Sequence, residues 1–409
     1  LDLVPKILRT GTDLLHFVGA VNQLRGWGPR FRKAVASWYL TKDPELLAYQ
    51  LVKYQSRDGW SHRDVLRLAH VKAPAVQVVE GVYAVNNGLA WAVGKAKDWT
   101  ICGRSIEGFE RAKIATARQE IVQLIREYGL TREMIPTVWL KLPEVWEALL
   151  EKMPAMAMVR NLANMSKVGL LTPFSNAEGV VVGRLDKDGV ERSKLHPMHF
   201  FLAGRTYSGG QSRHGTWTPS KAVVEALDAA FVSAFGNVKP SGKRILVAID
   251  VSGSMAGPTV TNTDVPVSEA ASAMALVMIK TEPQAHVIAF DTGCYETDLA
   301  KYTSVHAVRQ ALAFQGGGTD IGQPFSYLAA TGLLADAVVT YTDNETWAGN
   351  RHVSVRFDEI RKRRPLKAVT AAMTATDYAV LKDDGDCMNV VGFDASAPAL
   401  MSAFIRGEL

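Results

Sequence analysis

Along the first 170 residues, apolar positions recur at helical spacing in short blocks, and each block ends at Gly, Pro or a polar pair. Leu14, Phe17, Val18, Val21 and Leu24 make one stripe. Phe31, Val35, Trp38 and Tyr39 make a second, and Leu46, Leu47, Tyr49, Leu51 and Val52 a third. Breaks fall at 26–28, 42–44 and 58–59, and strand-type alternation is almost absent. The pattern predicts short helices with tight turns, stacked as antiparallel pairs in a degenerate helical-repeat array without a strict consensus. Ser61 ahead of His62-Arg63-Asp64 predicts an N-cap with an acid at the third helical position. Residues 172–217, rich in Gly, Ser and Pro, are predicted to be loops around a short apolar run at 180–182.

After residue 240 the pattern changes. Apolar runs at 245–249, 286–290, 337–341, 368–373 and 390–393 alternate with helical stretches near 268–281, 305–314, 324–331, 355–363 and 398–406. That alternation predicts a mostly parallel sheet with helices on both faces. Ligands of such sheets sit beyond the carboxyl ends of the strands, where Asp250 falls. The chain is therefore expected to divide into a helical domain, 1–240, and an α/β domain, 241–409.

Composition sharpens this division. A chain of 409 residues exceeds one comfortable core. Residues 1–240 carry 32 Lys+Arg against 22 Asp+Glu, whereas 241–409 carry 14 against 19. A basic first part suits a polyanion, and an acidic second part suits cation chemistry. No stretch approaches about twenty uninterrupted apolar residues, so no membrane partner is expected. Cys102, Cys294 and Cys387 are widely spaced and form no CxxC pair, which points to a reducing cytoplasm rather than a disulfide framework or zinc site. The absence of an initiator Met suggests a start inside a longer polypeptide.

Three loops then carry oxygen ligands. The first follows the 245–249 run and holds Asp250, Ser252 and Ser254; the second spans 315–320 and holds three Gly before Thr319 and Asp320; the third, 342–346, holds Asp343. Hydroxyls with one or two carboxylates suit Mg²⁺, which takes about six oxygens, better than His or Cys would. The competing reading is that Ser252 and Ser254 cap a helix and Asp343 serves a turn. Asp250-x-Ser252-x-Ser254, Thr319 and Asp343 together resemble the metal-ion-dependent adhesion site of von Willebrand factor A domains. The resemblance implies that the two Ser and the Thr coordinate Mg²⁺, with the Asp residues acting largely through water. It also implies an open position that binds a partner's carboxylate rather than catalysing.

The helical half carries a second resemblance. Leu24-Arg25-Gly26-Trp27-Gly28, Arg30, Arg32-Lys33-Ala34, Trp38-Tyr39, Lys53-Tyr54, Arg57, Gly59-Trp60-Ser61-His62, Asp64, Leu66-Arg67-Leu68 and His70 resemble the TROVE module of the Ro autoantigen and its bacterial Rsr relatives. The likeness continues through Arg160-Asn161-Leu162, His196-Pro197 and Gly242-Lys243-Arg244 into the three ligand loops. It implies HEAT-like helical repeats forming a ring or partial ring, followed by a Rossmann-like von Willebrand factor A domain. Further helical sequence ahead of the stretch aligned with Leu1 is implied too.

Residues 1–75 contain 12 Lys+Arg against 6 Asp+Glu, interleaved with Trp27, Trp38, Tyr39, Tyr54 and Trp60. Cations neutralise phosphates, and aromatic planes stack unpaired bases, although tryptophans in thin helical repeats more often serve packing. Lys53 and Arg57, spaced i, i+4, are expected on one helix face, with His70 near the end of the next helix. By themselves Lys53 and Arg57 read as a solvated face and His70 equally as a packed histidine, but the resemblance implies RNA contact at these three; Arg30, Arg32, Lys33, Arg63 and Arg67 are the further candidate RNA contacts. The resemblance implies Y RNA or a Y-like RNA on the outer surface and single-stranded 3′ ends of misfolded noncoding RNA in the ring. It further implies a tether through RNA to polynucleotide phosphorylase, and a monomeric protein within a ribonucleoprotein for RNA quality control. No nuclease constellation is read, so no enzyme is expected; Arg361-Lys362-Arg363-Arg364 has a sufficient role at a helix end. Two rivals stay open: a Mg²⁺-dependent protein-binding module with a helical support, and an RNA-processing enzyme.

Overall fold

The computed structural model describes residues 3–71, 104–213, 215–260, 263–314, 316–343, 348–349, 352–374, 380–393 and 396–409. Part of the expected helical array (72–103), Cys102, and Gln315, Asn344, Glu345 and Thr346 of the ligand loops lie outside the described residues. Two compact units emerge: Leu1–Met153 with Val168–Leu170, and Pro154–Lys167 with Leu171–Leu409.

The first unit contains α1 (Val4–Ile7), α2 (Gly11–Arg25), α3 (Pro29–Leu40) and α4 (Pro44–Lys53). A hairpin of β1 (Ser56–Arg57) and β2 (Trp60–Ser61) leads into α5 (His62–Ala69), and α6 (Arg104–Ile114), α7 (Arg118–Tyr128) and α8 (Pro143–Lys152) follow. Capping boxes start α2 and α5: Thr10 and Ser61 each accept the N–H of an acid three residues on, and that acid returns the bond. Apart from Leu24 and Leu46, which are exposed, the apolar stripes meet in one core, where Leu14, Leu15, Val18, Val35, Trp38, Tyr39, Leu51 and Val65 are buried. Each such side chain contributes about 1.5–3 kcal/mol of burial. His62 lies among them, 1% exposed, with Nδ1 2.9 Å from the Tyr39 hydroxyl and its ring stacked on Trp38. Burial pushes its pKa down to about 4.

The second unit begins with α9 (Ala155–Lys167), α10 (Asn176–Arg184), α11 (Lys187–Ser193) and α12 (Pro197–Ser208). The hairpin of β3 (Gln211–Ser212) and β4 (Gly215–Thr216) and α13 (Lys221–Ser233) complete its helical layer. The loop expectation for 172–217 therefore gives way to three helices. Its polar residues are caps, for Ser175, Asp186 and His196 each accept an N–H from the first turn that follows. One of its glycines marks close approach: a Cβ on Gly189 would lie 2.3 Å from the Arg184 carbonyl oxygen.

Six strands form the sheet: β5 (Arg244–Asp250), β6 (Gln284–Phe290), β7 (Cys294–Glu296), β8 (Ala337–Thr342), β9 (Lys367–Ala372) and β10 (Cys387–Val391). Their order is β10-β9-β8-β5-β6-β7, parallel except for the antiparallel edge strand β7. Helices α14 (Val267–Thr281), α15 (Val305–Leu312), α16 (Gln323–Thr331), α17 (Val353–Arg361) and α18 (Ala397–Arg406) alternate with the strands. Strand β5 is buried after its first residue and β8 throughout, as their unbroken apolar runs require. The chain moves from β5 to β6 on one side and later to β8 on the other, so the topological switch lies at the carboxyl end of β5. The helical layer packs on this α/β part: the Phe201 and Phe393 rings meet edge to face at 6.0 Å, and Arg205 pairs with Glu269 at 3.2 Å. Among the described residues no helix is long and apolar enough to cross a membrane.

Candidate metal pocket and basic helical surface

Asp250 ends β5 and is fully buried. Its Oδ1 accepts the Ser252 N–H at 2.9 Å, and its Oδ2 accepts the Thr342 hydroxyl at 2.7 Å, which joins the first ligand loop to the end of β8. Burial pushes the Asp250 carboxyl up to about 6, and nearby Asp343 adds to the rise. Ser252 Oγ and Ser254 Oγ lie 3.1 Å apart. Two oxygens bound to one octahedral Mg²⁺ at about 2.1 Å are separated by about 3 Å, so this pair fits adjacent coordination positions.

The second loop is tied in from several sides. Gly253 N–H reaches Gly317 O at 3.5 Å, and the positive φ of Gly316 and Gly317 (125° and 105°) lets that backbone approach. Thr319 is buried, and its carbonyl accepts the Ala348 N–H at 3.0 Å, linking the second loop to the segment after Asp343. Asp343 is also buried. Asp250, Ser252, Ser254 and Asp343 thus gather at the carboxyl ends of β5 and β8, and the loop that carries Thr319 is tied to both through Gly317 and Ala348. Among the described residues, no group of three or more His, Cys, Asp or Glu that could hold a metal ion is present. The donors here are hydroxyls and carboxylates, the set suited to Mg²⁺.

Sequence reading missed the group that fixes this second loop. Asp320 accepts the Gly322 N–H at 3.0 Å and the Gln323 side-chain amide at 2.9 Å, and Arg356 Nη1 lies 2.8 Å from its Oδ2. Both charged side chains are buried, 8% and 9% exposed. A lone Arg in a helical stretch gives no sequence signal that it reaches a buried carboxylate. Thr342 was visible only as a neighbour of Asp343.

In the helical unit the eight basic candidates occupy neighbouring elements. Arg30, Arg32 and Lys33 lie on α3, Lys53 ends α4, Arg57 lies on β1, Arg63 and Arg67 lie on α5, and His70 is the left-handed residue after α5. Lys53 and Arg57 do not share a helix face, because α4 stops at Lys53 and Asp58-Gly59 turns the hairpin. Arg57 is exposed. Lys53 is half-buried and donates to the Tyr49 hydroxyl at 2.7 Å, with the Tyr49 and Tyr54 rings 5.0 and 5.3 Å away. Burial disfavours its charge, yet the Tyr49 and Tyr54 hydroxyls outweigh that and raise its pKa. Arg63, Arg67 and His70 are exposed; Arg32 is half-buried, with an Nε that has no partner among the described residues. Trp38 is core, while Trp27 and Trp60 pack on each other at 6.0 Å, so these tryptophans serve packing. Asn161 is structural as well, its amide donating to the Ala157 carbonyl at 2.8 Å.

Two family models match the chain, the TROVE domain over residues 5–213 and the Ro60 vWA domain over residues 244–405. The RNA-binding protein RO60 of Deinococcus radiodurans is 37% identical over 418 aligned residues, covering 100% of this chain and 77% of the relative. The chain belongs to the Ro family. A second Ro-family relative, RNA-binding protein RO60 of Caenorhabditis elegans, is 32% identical over 473 aligned residues, with 100% of this chain and 72% of that protein covered. The crystal structure of the Deinococcus radiodurans RO (RSR) protein superposes with a TM-score of 0.85 at 37% identity, covering 100% of this chain and 83% of that one. The Ro architecture of a helical TROVE region joined to a von Willebrand factor A domain with a mixed sheet is therefore that of this chain.

Proposed function

We propose that this Ro-family chain is a non-catalytic RNA-binding scaffold. Its basic helical surface takes a Y-like structured RNA, with Lys53, Arg57 and His70 as principal contacts, the first two to phosphates, and Arg30, Arg32, Lys33, Arg63 and Arg67 as further phosphate contacts. The observation that carries this reading is the charge distribution, 12 Lys+Arg against 6 Asp+Glu in residues 1–75, within a chain whose relatives carry the name RNA-binding protein RO60. Misfolded noncoding RNA 3′ ends and, through RNA, polynucleotide phosphorylase are the further partners of this reading, with quality control in the cytoplasm as its setting. The test is RNA affinity across a salt series for Lys53→Ala plus Arg57→Ala. Loss of two phosphate contacts flattens the slope of log K against log salt by about 1.8. An unchanged affinity and slope would remove these residues from the interface.

The 3.1 Å hydroxyl pair favours a second, compatible role for the α/β domain. In this reading Ser252, Ser254 and Thr319 hold Mg²⁺, Asp250 and Asp343 support it, and the bound ion offers a position to a partner carboxylate. Ser252→Ala or Asp250→Ala is expected to abolish Mg²⁺ binding in calorimetry and leave RNA affinity nearly intact. Parallel loss of both would instead place the ion at the RNA contact.

A further inference from the structure

Phe174, on the loop between α9 and α10, combines two unfavourable properties. Its side chain is 100% exposed, and its φ is +65°. The left-handed region is costly for any residue with a Cβ and rare for a bulky one. Among the described residues, the other non-glycine positions with positive φ are Asp58, His70, Lys194 and Ala313, three polar and one small. A glycine would satisfy this turn, and the ring gains no burial in exchange.

The turn is nevertheless held firmly. Phe174 N–H donates to Glu178 Oε2 at 2.6 Å, and the other oxygen of this buried carboxylate accepts the Ser220 hydroxyl. Ser220 N–H donates to the Tyr207 hydroxyl at 3.0 Å, and that hydroxyl lies 2.7 Å from Ser166 Oγ. One hydrogen-bonded chain thus joins the Phe174 backbone to the start of α13 and the end of α9. The ring stands on a fixed base, so little freedom is lost when something stacks on it.

Cations flank both ends of that chain. Lys167 follows Ser166, its Nζ 5.0 Å from the Trp217 ring, and Lys221 follows Ser220 with a side chain 89% exposed, its Nζ 3.6 Å from Glu225 in a solvent-exposed pair that holds it only weakly. Residues 160–221 hold nine Lys+Arg against four Asp+Glu, and one of those acids, Glu178, is already taken up in the hydrogen-bonded chain. Thr172, Pro173 and Asn176 around the ring are exposed, so it is a single aromatic face rather than part of an apolar docking patch. A lone aromatic with cations nearby is the arrangement that receives an unpaired base and its adjoining phosphates.

We infer that Phe174 is a stacking platform for an unpaired base of single-stranded RNA, with Lys167 and Lys221 neutralising the adjoining phosphates. The inference rests on the RNA-binding reading above but uses residues apart from Lys53 and Arg57. The test measures fluorescence anisotropy of a labelled oligouridine with the full chain, across a salt series, for wild type, Phe174→Gly and Phe174→Trp. Phe174→Gly is expected to weaken binding roughly 5- to 150-fold, the range of one lost base stack, with the salt slope unchanged. Its thermal midpoint should hold or rise, because glycine relaxes the left-handed turn, and Phe174→Trp should keep the affinity. Wild-type affinity in Phe174→Gly, or a loss that comes with a lower midpoint and is shared by Phe174→Trp, overturns the inference. Wild-type protein that binds structured RNA but not oligouridine overturns it alone, whereas failure to bind either RNA overturns the scaffold reading as well.

Discussion

Arg356→Met tests how the second ligand loop is held. The substitution keeps much of the apolar stem but leaves the Asp320 carboxylate buried without its 2.8 Å guanidinium partner, and it also removes the 3.1 Å bond to Ser326. Removing one member of a buried ion pair costs about 3–5 kcal/mol, because the remaining charge keeps its desolvation penalty. At about 1.4 kcal/mol per factor of ten, local opening should become roughly 100- to 4,000-fold more frequent. The assay is native-state hydrogen exchange read by mass spectrometry on peptides covering 316–331 and 353–361, beside one from β5 as a reference. The Asp320→Asn background supplies the control: the amide oxygen can still accept the Gly322 N–H, but the buried charge is gone. Arg356→Met should then cost less, by a coupling of about 0.5–3 kcal/mol. If the single variant changes protection by less than about 0.5 kcal/mol, the size of an ordinary surface substitution, the pair does not hold this loop.

Two further outcomes follow from the geometry. His62 is neutral in the fold down to about pH 4 but titrates near its ordinary value of about 6.5 when unfolded. The unfolded chain therefore binds the proton first: the contribution is complete above about pH 6.5 and falls as pH drops towards 4, by up to about 1.4 kcal/mol per unit. Urea midpoints at several pH values should show that slope, and His62→Gln should flatten it. Gly317→Ala should cost about 1–3 kcal/mol and weaken Mg²⁺ binding, because φ is +105° there and the new Cβ would lie 3.1 Å from Asp291 Oδ2. Gly318→Ala, whose Cβ would meet Ala348 at an ordinary 3.4 Å, should be tolerated; equal effects would discount the backbone argument.

Much of this architecture was readable from pattern. The runs at 245–249 and 337–341 lie within β5 and β8, because buried parallel strands must be apolar on both faces and so announce themselves. Ser61 and Asp64 announce the start of α5 equally well, since a capping box is a local device. The meeting of Asp250, Ser252, Ser254 and Asp343 was legible because these residues sit at fixed offsets from the ends of β5 and β8, whereas Thr319 lies between two helices. Other features depend on contacts distant in sequence. The helices within 172–217 were hidden because caps and close-packing glycines use the same residues as loops. The expected Lys53–Arg57 face failed because a hairpin of two-residue strands leaves almost no periodic signal. Arg356 could be assigned only once folding had brought α17 against the loop before α16.

The helices of 154–240 share one compact unit with the sheet, through Phe201 on Phe393, Arg205 on Glu269, and Lys239 3.1 Å from Glu408. This makes the α/β part a poor candidate for free exchange between proteins. A recombination event that joined it at residue 240 to another helical array would bring the strands and the ligand loops intact. It would also leave the Phe393 ring and the Glu269 carboxylate without their partners. Inheritance of this domain is thus coupled to inheritance of the helices that precede it, and a lineage that swapped one would have to rebuild the other's contact layer.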